Sequence, residues 1–155
     1  DNSSLRLLCI DHMNDGKGYI KLLRKWAEQL GLRGELCFRH GARRIEGVFV
    51  LLVGDAANVK EFCTRLRTQF VDVDSKGAKC KEKQSQVLWE GKAEPRVAVK
   101  ADEHESCRRR RGLCVTEYKK KDELVRFLLD RPADDVPSSA MASVLEVICN
   151  VVARR

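Results

Sequence analysis

The six residues Val48-Phe49-Val50-Leu51-Leu52-Val53 are apolar without interruption, and all but the two leucines are β-branched or aromatic. A run of that length and composition, followed by Gly54-Asp55, reads as a strand buried on both faces, not one that alternates between core and water. It is the second strand of a predicted hairpin. The first runs from Arg33 to Phe38, and the polar loop His40-Gly41-Ala42-Arg43-Arg44 joins the two.

The elements around that hairpin follow from their periods. Leu5 to Ile10 is a short apolar run suited to a strand, and His12 to Gly16 supplies turn chemistry. Tyr19, Leu22, Leu23, Trp26, Ala27 and Leu30 recur at three and four, which predicts a helix that Gly31 terminates. After the hairpin, Asp55 is placed to cap a second helix carrying Val59, Phe62, Cys63 and Leu66. Phe70 to Asp74 alternates apolar and acidic residues, a basic turn spans Ser75 to Lys83, and Gln86 to Glu90 reads as another strand. The order β-α-β-β-α-β is economically solved by an α+β, ferredoxin-like antiparallel sheet with its helices on one face. Beyond it, a strand at Leu113 to Tyr118, a helix capped by Asp122 and stopped by Pro132, and a last helix opened by Ser138 or Ser139 are expected to follow, the last docking on the core. Residues 95–111 have no sustained apolar period and are expected to form a mobile insertion loop within a single domain spanning 1–155.

Charge is distributed unevenly. Residues 76–121 hold 14 Lys and Arg against 7 Asp and Glu, and the rest of the chain balances at 16 against 16, so the whole net charge of +7 is local. Such an asymmetry suits a phosphate-bearing or acidic partner, and a solvated face produces the same count. Seven cysteines (Cys9, Cys37, Cys63, Cys80, Cys107, Cys114, Cys149), several inside apolar patterns and none in a Cys-x-x-Cys pair, fit a reducing compartment, nuclear or cytoplasmic. No apolar run approaches the ~18 to 20 residues of a membrane span, and Asp1-Asn2-Ser3-Ser4 does not begin a signal peptide, so a soluble chain without a membrane partner is expected. The absence of an initiating Met suggests an excised fragment.

Three stretches together carry a resemblance: Leu8-Cys-Ile-Asp-His-Met13 with the Tyr19/Trp26 helix; Val71-Asp-Val-Asp-Ser75 with Lys79-Cys-Lys-Glu-Lys83; and Val87-Leu-Trp-Glu-Gly91. The first two resemble the C-terminal domain of RWD-domain-containing proteins. The third, with the Val48 to Gly54 strand before it, resembles the related C-terminal domain of the pre-mRNA-processing factor of the spliceosomal tri-snRNP. The resemblance covers most of the chain apart from 95–111 and implies a ferredoxin-like fold. Its splicing branch implies binding to small nuclear RNA. Its RWD branch leaves the role of this domain obscure, and no RWD domain itself is expected in the chain.

The leading expectation is a nucleic-acid-binding, RNA- or DNA-binding domain. Lys76, Lys79, Lys81 and Lys83, with Arg65 and Arg67 upstream and Arg108, Arg109, Arg110 and Arg111 in the loop, would track a phosphate backbone. Trp89 and Tyr118 are either stacking platforms for unpaired bases or core residues. Lys119 to Lys121 offer a phosphate clamp, an import signal or a plain charge run. The second reading is a protein-interaction module in a SUMO or ubiquitin-like pathway or in a spliceosomal complex. The third is a nuclease using a divalent metal such as magnesium: Asp72 and Asp74 lie two apart, roughly 7 Å in an extended strand, and Asp11 would join them if the strands are neighbours. His12 and His40 invite an acid–base pair, and His104 with Cys107, Cys114 and Cys80 a zinc site of irregular spacing. On the leading reading no cofactor is required and enzymatic activity is not expected. Whether folding joins the separate basic segments on one face is left open.

Overall fold

The computed structural model describes residues 3–93, 112–130 and 136–154, so the expected loop at 95–111 with Arg108, Arg109, Arg110 and Arg111, and the stop at Pro132, lie outside the described residues. The elements are β1 (Ser3–Met13), α1 (Gly16–Gln29), β2 (Arg33–His40), β3 (Ile45–Asp55), α2 (Ala56–Thr68), β4 (Phe70–Val73), β5 (Lys79–Lys81), β6 (Ser85–Lys92), β7 (Gly112–Glu117), α3 (Lys121–Asp130) and α4 (Ser138–Ala153). Five strands form one sheet in the order β6-β1-β3-β2-β7, and β4 with β5 forms a separate two-stranded sheet.

The fold is α+β, and its first four sheet strands have the ferredoxin-like arrangement. β3 runs antiparallel to β1 on one side and to β2 on the other, and β6 runs antiparallel to β1. β6 therefore closes the βαββαβ unit, and Phe70–Val73 belongs to an inserted hairpin instead. Local chemistry explains the helix starts: Asp15 Oδ1 accepts from the Gly18 N–H (3.2 Å), and Asp55 Oδ1 accepts from the Ala57 N–H (2.9 Å). Of the two C-terminal helices, α4 opens at Ser138 as expected, whereas α3 opens one residue before Asp122. Asp122 lies inside the first turn of α3, where its charge favours the helix dipole, and Pro137 occupies the cap position of α4 without a side-chain bond.

The uninterrupted apolar run sits where its composition requires. Val48, Val50 and Leu52 face one core with Leu8, Ile10 and Leu36, covered by Tyr19, Leu23 and Trp26 of α1 and Val59, Phe62 and Leu66 of α2. Trp26 and Phe62 meet edge to face at 5.9 Å, which locks the two helices to each other. Phe49, Leu51 and Val53 face the other way, into a second core with Leu5, Leu7 and Cys37, covered by Leu124 and Leu128 of α3 and Met141, Val144 and Ile148 of α4. The C-terminal strand and helices thus complete the sheet in two ways: β7 adds parallel to β2 at one edge, and α3 with α4 roofs the face that α1 and α2 leave open. Close approach inside the sheet demands a glycine at position 34. At Gly34 (φ +151°) a Cβ would fall within 1.7 Å of the Leu51 carbonyl oxygen.

The second core is essential by magnitude. Each large apolar side chain left in water forfeits roughly 1.5–3 kcal/mol, so exposing Leu5, Leu7, Phe49, Leu51 and Val53 would cost on the order of a small domain's total stability. Ile148→Ala, at a fully buried position of α4 outside the βαββαβ unit, is therefore expected to lower the urea unfolding free energy by about 2–5 kcal/mol. A loss below about 0.5 kcal/mol would show that α4 is only loosely docked.

Candidate functional site

The hairpin of β4 and β5 carries the most distinctive motif, and its two aspartates are engaged in building it. Asp72 is buried, and its carboxylate accepts from the backbone N–H groups of Asn14 (3.0 Å) and Asp15 (2.8 Å) in the turn between β1 and α1. Asn14 returns a bond from its side-chain amide to the Val73 carbonyl at 2.7 Å. Asp74 Oδ1 accepts from the Lys76 and Ala78 N–H groups, both at 2.9 Å, and so shapes the hairpin's own turn. Tyr19 of α1 adds a third tie, its hydroxyl donating to Glu82 Oε1 at 2.6 Å. Burial first, and that bond next, push the Tyr19 hydroxyl far above its ordinary range, so it remains a donor at any physiological pH.

This arrangement overturns the three-carboxylate expectation. β1 pairs with β3 and β6, not with β4, so Asp11 is not brought beside Asp72 and Asp74 by strand pairing. Asp11 Oδ2 instead lies 3.1 Å from His12 Nδ1. Among the described residues no group of three His, Cys, Asp or Glu side chains is placed to hold a metal ion. His12 and His40 do not form a pair. They sit on β1 and β2 with β3 between them, two strand spacings or about 10 Å apart along the sheet, and His40 Nε2 lies 3.5 Å from Glu117 Oε1. Of the irregular zinc set, His104 and Cys107 lie outside the described residues. The Cys80 thiol is pushed up by burial and then by Asp72 and Asp74, which opposes thiolate formation.

The basic residues divide. Lys76, Lys79, Lys81 and Lys83 are all exposed on the hairpin, and the Lys81 ammonium lies 6.0 Å from the centre of the Phe70 ring. Phe70 itself is 61% exposed, an unusual position for a phenylalanine, and stands opposite Lys81 in the two-stranded register. Arg67 is exposed nearby in sequence. Arg65 is held to the scaffold, donating to Gln29 Oε1 at 3.0 Å with Glu61 alongside at 4.0 Å. Lys119 and Lys121 lie elsewhere, lining a cavity with Phe49 and Val152 of the second core, whereas Val71 of the hairpin packs into the first core. Folding therefore sends the two basic groups to opposite faces of the sheet.

Of the two readings open for Trp89 and Tyr118, stacking platform or core residue, burial supports core packing. Tyr118 is 4% exposed and its hydroxyl donates to the Gly47 carbonyl at 2.5 Å; Trp89 packs partly buried against the second core. The exposed large apolar side chains include Phe70 and, on β6, Val87, which is 46% exposed. Among the described residues β6 pairs on one side only, leaving its outer edge open. The apolar–acidic alternation does not announce the exposure of Phe70, since Val71 and Asp72 after it are both buried.

If Asp72 is structural, removing its carboxylate strands two backbone N–H groups. Asp72→Ala is expected to lower the unfolding free energy by about 2–4 kcal/mol, and magnesium is expected to leave the melting temperature of the unaltered protein unchanged. A magnesium-dependent rise in melting temperature that Asp72→Ala abolishes would restore the metal reading.

The chain matches no known family profile. Among solved structures it superposes only loosely: on full-length HypF in its phosphate- and nucleotide-bound form with a TM-score of 0.46 and 14% identity, over 74% of this chain and 12% of that one; and on BlsA in its photo-activated state with a TM-score of 0.45 and 11% identity, over 94% of both chains. Likenesses of that size carry no argument. Sequence relatives are nearer. RWD domain-containing protein 3 of Homo sapiens is 39% identical over 124 residues, 80% of this chain and 41% of that protein. The Rattus norvegicus protein of the same name is 42% identical over 90 residues, 58% of this chain and 32% of that one. In Xenopus tropicalis it is 39% identical over 84 residues, 54% and 30%. These relatives support the RWD branch of the resemblance and do not bear on the splicing branch. The chain spans about a third to two fifths of the curated relatives it matches, and over most of its own length it is similar to a part of RWD domain-containing protein 3.

Proposed function

We propose that this chain is a protein-interaction domain. The observation that carries the reading is the 39% identity over 80% of the chain to RWD domain-containing protein 3, a protein named for a domain that generally mediates contacts between proteins. The structure offers a surface suited to the task. An open strand edge presents unpaired backbone N–H and C=O groups, and an extended segment of another protein adds to such an edge as one more strand. Among the described residues β6 has this edge, and Val87 on the same strand is exposed as an apolar anchor. A partner in a ubiquitin-like pathway and one in a spliceosomal complex are both compatible with this mode. Tagged protein is expected to retain protein partners from a nuclease-treated lysate, and Val87→Lys, which leaves a free edge polar, is expected to reduce their recovery several-fold without changing the circular dichroism spectrum. Recovery that vanishes on nuclease treatment would overturn the reading.

A second reading rests on Phe70. An exposed aromatic ring with the Lys81 ammonium 6.0 Å from its centre, on a segment that also exposes Lys76, Lys79 and Lys83, is a small platform for an unpaired base beside a phosphate backbone. On this reading a fluorescent single-stranded oligonucleotide binds with an affinity that falls steeply with salt, and Phe70→Ala weakens it about tenfold. Absence of binding at low salt excludes it.

A further inference from the structure

The basic run after β7 has a structural partner that its sequence does not indicate. Arg39, near the end of β2, joins Lys119 and Lys121 around a cavity of about 220 Å³, eighty residues away in the chain. Phe49 and Val152 supply its apolar wall. Its shape is held by Tyr118, whose buried hydroxyl is bonded to the Gly47 carbonyl. Gly47 has φ +55°, and a Cβ there would stand 2.5 Å from Tyr118 Oη and 3.3 Å from Arg39 Nε, so the absence of a side chain keeps this wall open.

The charges converging here are incompletely matched. Arg39 donates from one terminal nitrogen to Glu46 Oε2 at 3.2 Å and retains further N–H donors, while Glu46 is shared with Arg44 at 4.0 Å. Glu123 accepts from the Lys119 backbone N–H at 3.4 Å. Among the described residues neither the Lys119 nor the Lys121 ammonium has a carboxylate within ion-pair distance. Arg39, Lys119 and Lys121 line one small space, with Glu46 and Glu123 as the acids bonded to them, and an anion among the three cationic residues lowers their mutual repulsion. Arg and Lys together suit phosphate, the first by its planar fork and the second as a point charge. The cavity is smaller than the roughly 300–1,000 Å³ of pockets that enclose whole small-molecule ligands, so it admits one headgroup and a short stem.

We infer that this cavity is a binding pocket for a phosphate monoester carried on an aromatic or aliphatic stem. Arg39, Lys119 and Lys121 hold the phosphate oxygens, and Phe49 and Val152 receive the stem. This chemistry is shared by a phosphorylated side chain and by a small phosphorylated molecule. It does not depend on the protein-interaction reading, because the β6 edge and this pocket use different residues.

The test is an amide-resolved NMR titration of the whole chain with phenyl phosphate, inorganic phosphate and a phosphotyrosine peptide. Phenyl phosphate is expected to shift the amides of Gly47 and residues 118–121 and to bind more tightly than inorganic phosphate. Saturation by the peptide as well assigns the pocket to a phosphorylated side chain, and saturation by phenyl phosphate alone assigns it to a small molecule. Lys119→Gln with Lys121→Gln is expected to weaken binding about tenfold or more, whereas Lys76→Gln with Lys79→Gln leaves it unchanged. No saturable shift up to about 10 mM, equal binding of inorganic and phenyl phosphate, or an unchanged affinity in the Lys119/Lys121 variant would each overturn the inference.

Discussion

Everything in this structure hangs on β3 being covered on both faces. A strand whose successive side chains are all apolar cannot lie at the surface of a two-layer fold, because every second residue would face water. Val48, Val50 and Leu52 are satisfied by α1 and α2, and Phe49, Leu51 and Val53 by α3 and α4. The second requirement explains why a ferredoxin-like unit, which is complete as a two-layer arrangement, is here extended by a fifth strand and two more helices. Those helices are part of the core, as their buried Leu124, Val144 and Ile148 show.

A second constraint fixes the inserted hairpin. Asp72 accepts two backbone N–H groups from the turn that starts α1, and the Tyr19 hydroxyl reaches Glu82 from the next turn of the same helix. Two short strands alone are marginal in water. Tied to α1 at these points, they present a row of lysines and an exposed phenylalanine on a defined scaffold. The same carboxylate that suggested catalysis is thus the reason the basic surface has a fixed shape.

How much of this was legible in the sequence depends on the range of the interaction. Periodicity located both N-terminal helices and their buried stripes, because Val59, Phe62, Cys63 and Leu66 recur at helical spacing within one element. Asp55 was legible as a cap for the same local reason. The continuous apolar run announced burial on two faces, yet nothing in it names the cover for the second face. The Asp-x-Asp pair left its role open because a carboxylate that binds metal and one that accepts backbone N–H groups are the same residue at the same spacing. Asp72 and its partners at 14 and 15 are 58 and 57 positions apart. Phe70 was overlooked because its exposure is set by the hairpin's separation from the main sheet, a tertiary fact.

The distribution of charge shows what folding adds to a count. By composition the positive excess is one stretch, 76–121. In the structure the hairpin lysines lie on the side of the first core and Lys119 with Lys121 on the side of the second, with the sheet between them. Packed layers are about 10 Å apart, comparable to the screening length of roughly 8–10 Å at ordinary ionic strength. Charges on opposite sides of two or more layers therefore act nearly independently on a ligand. A single long nucleic-acid track across both groups would have to wrap the sheet edge, whereas two local sites, one flat with an exposed ring and one concave with three cations, need no such path. Among the described residues the net charge of the stretch is for that reason a poor guide to a single continuous binding surface.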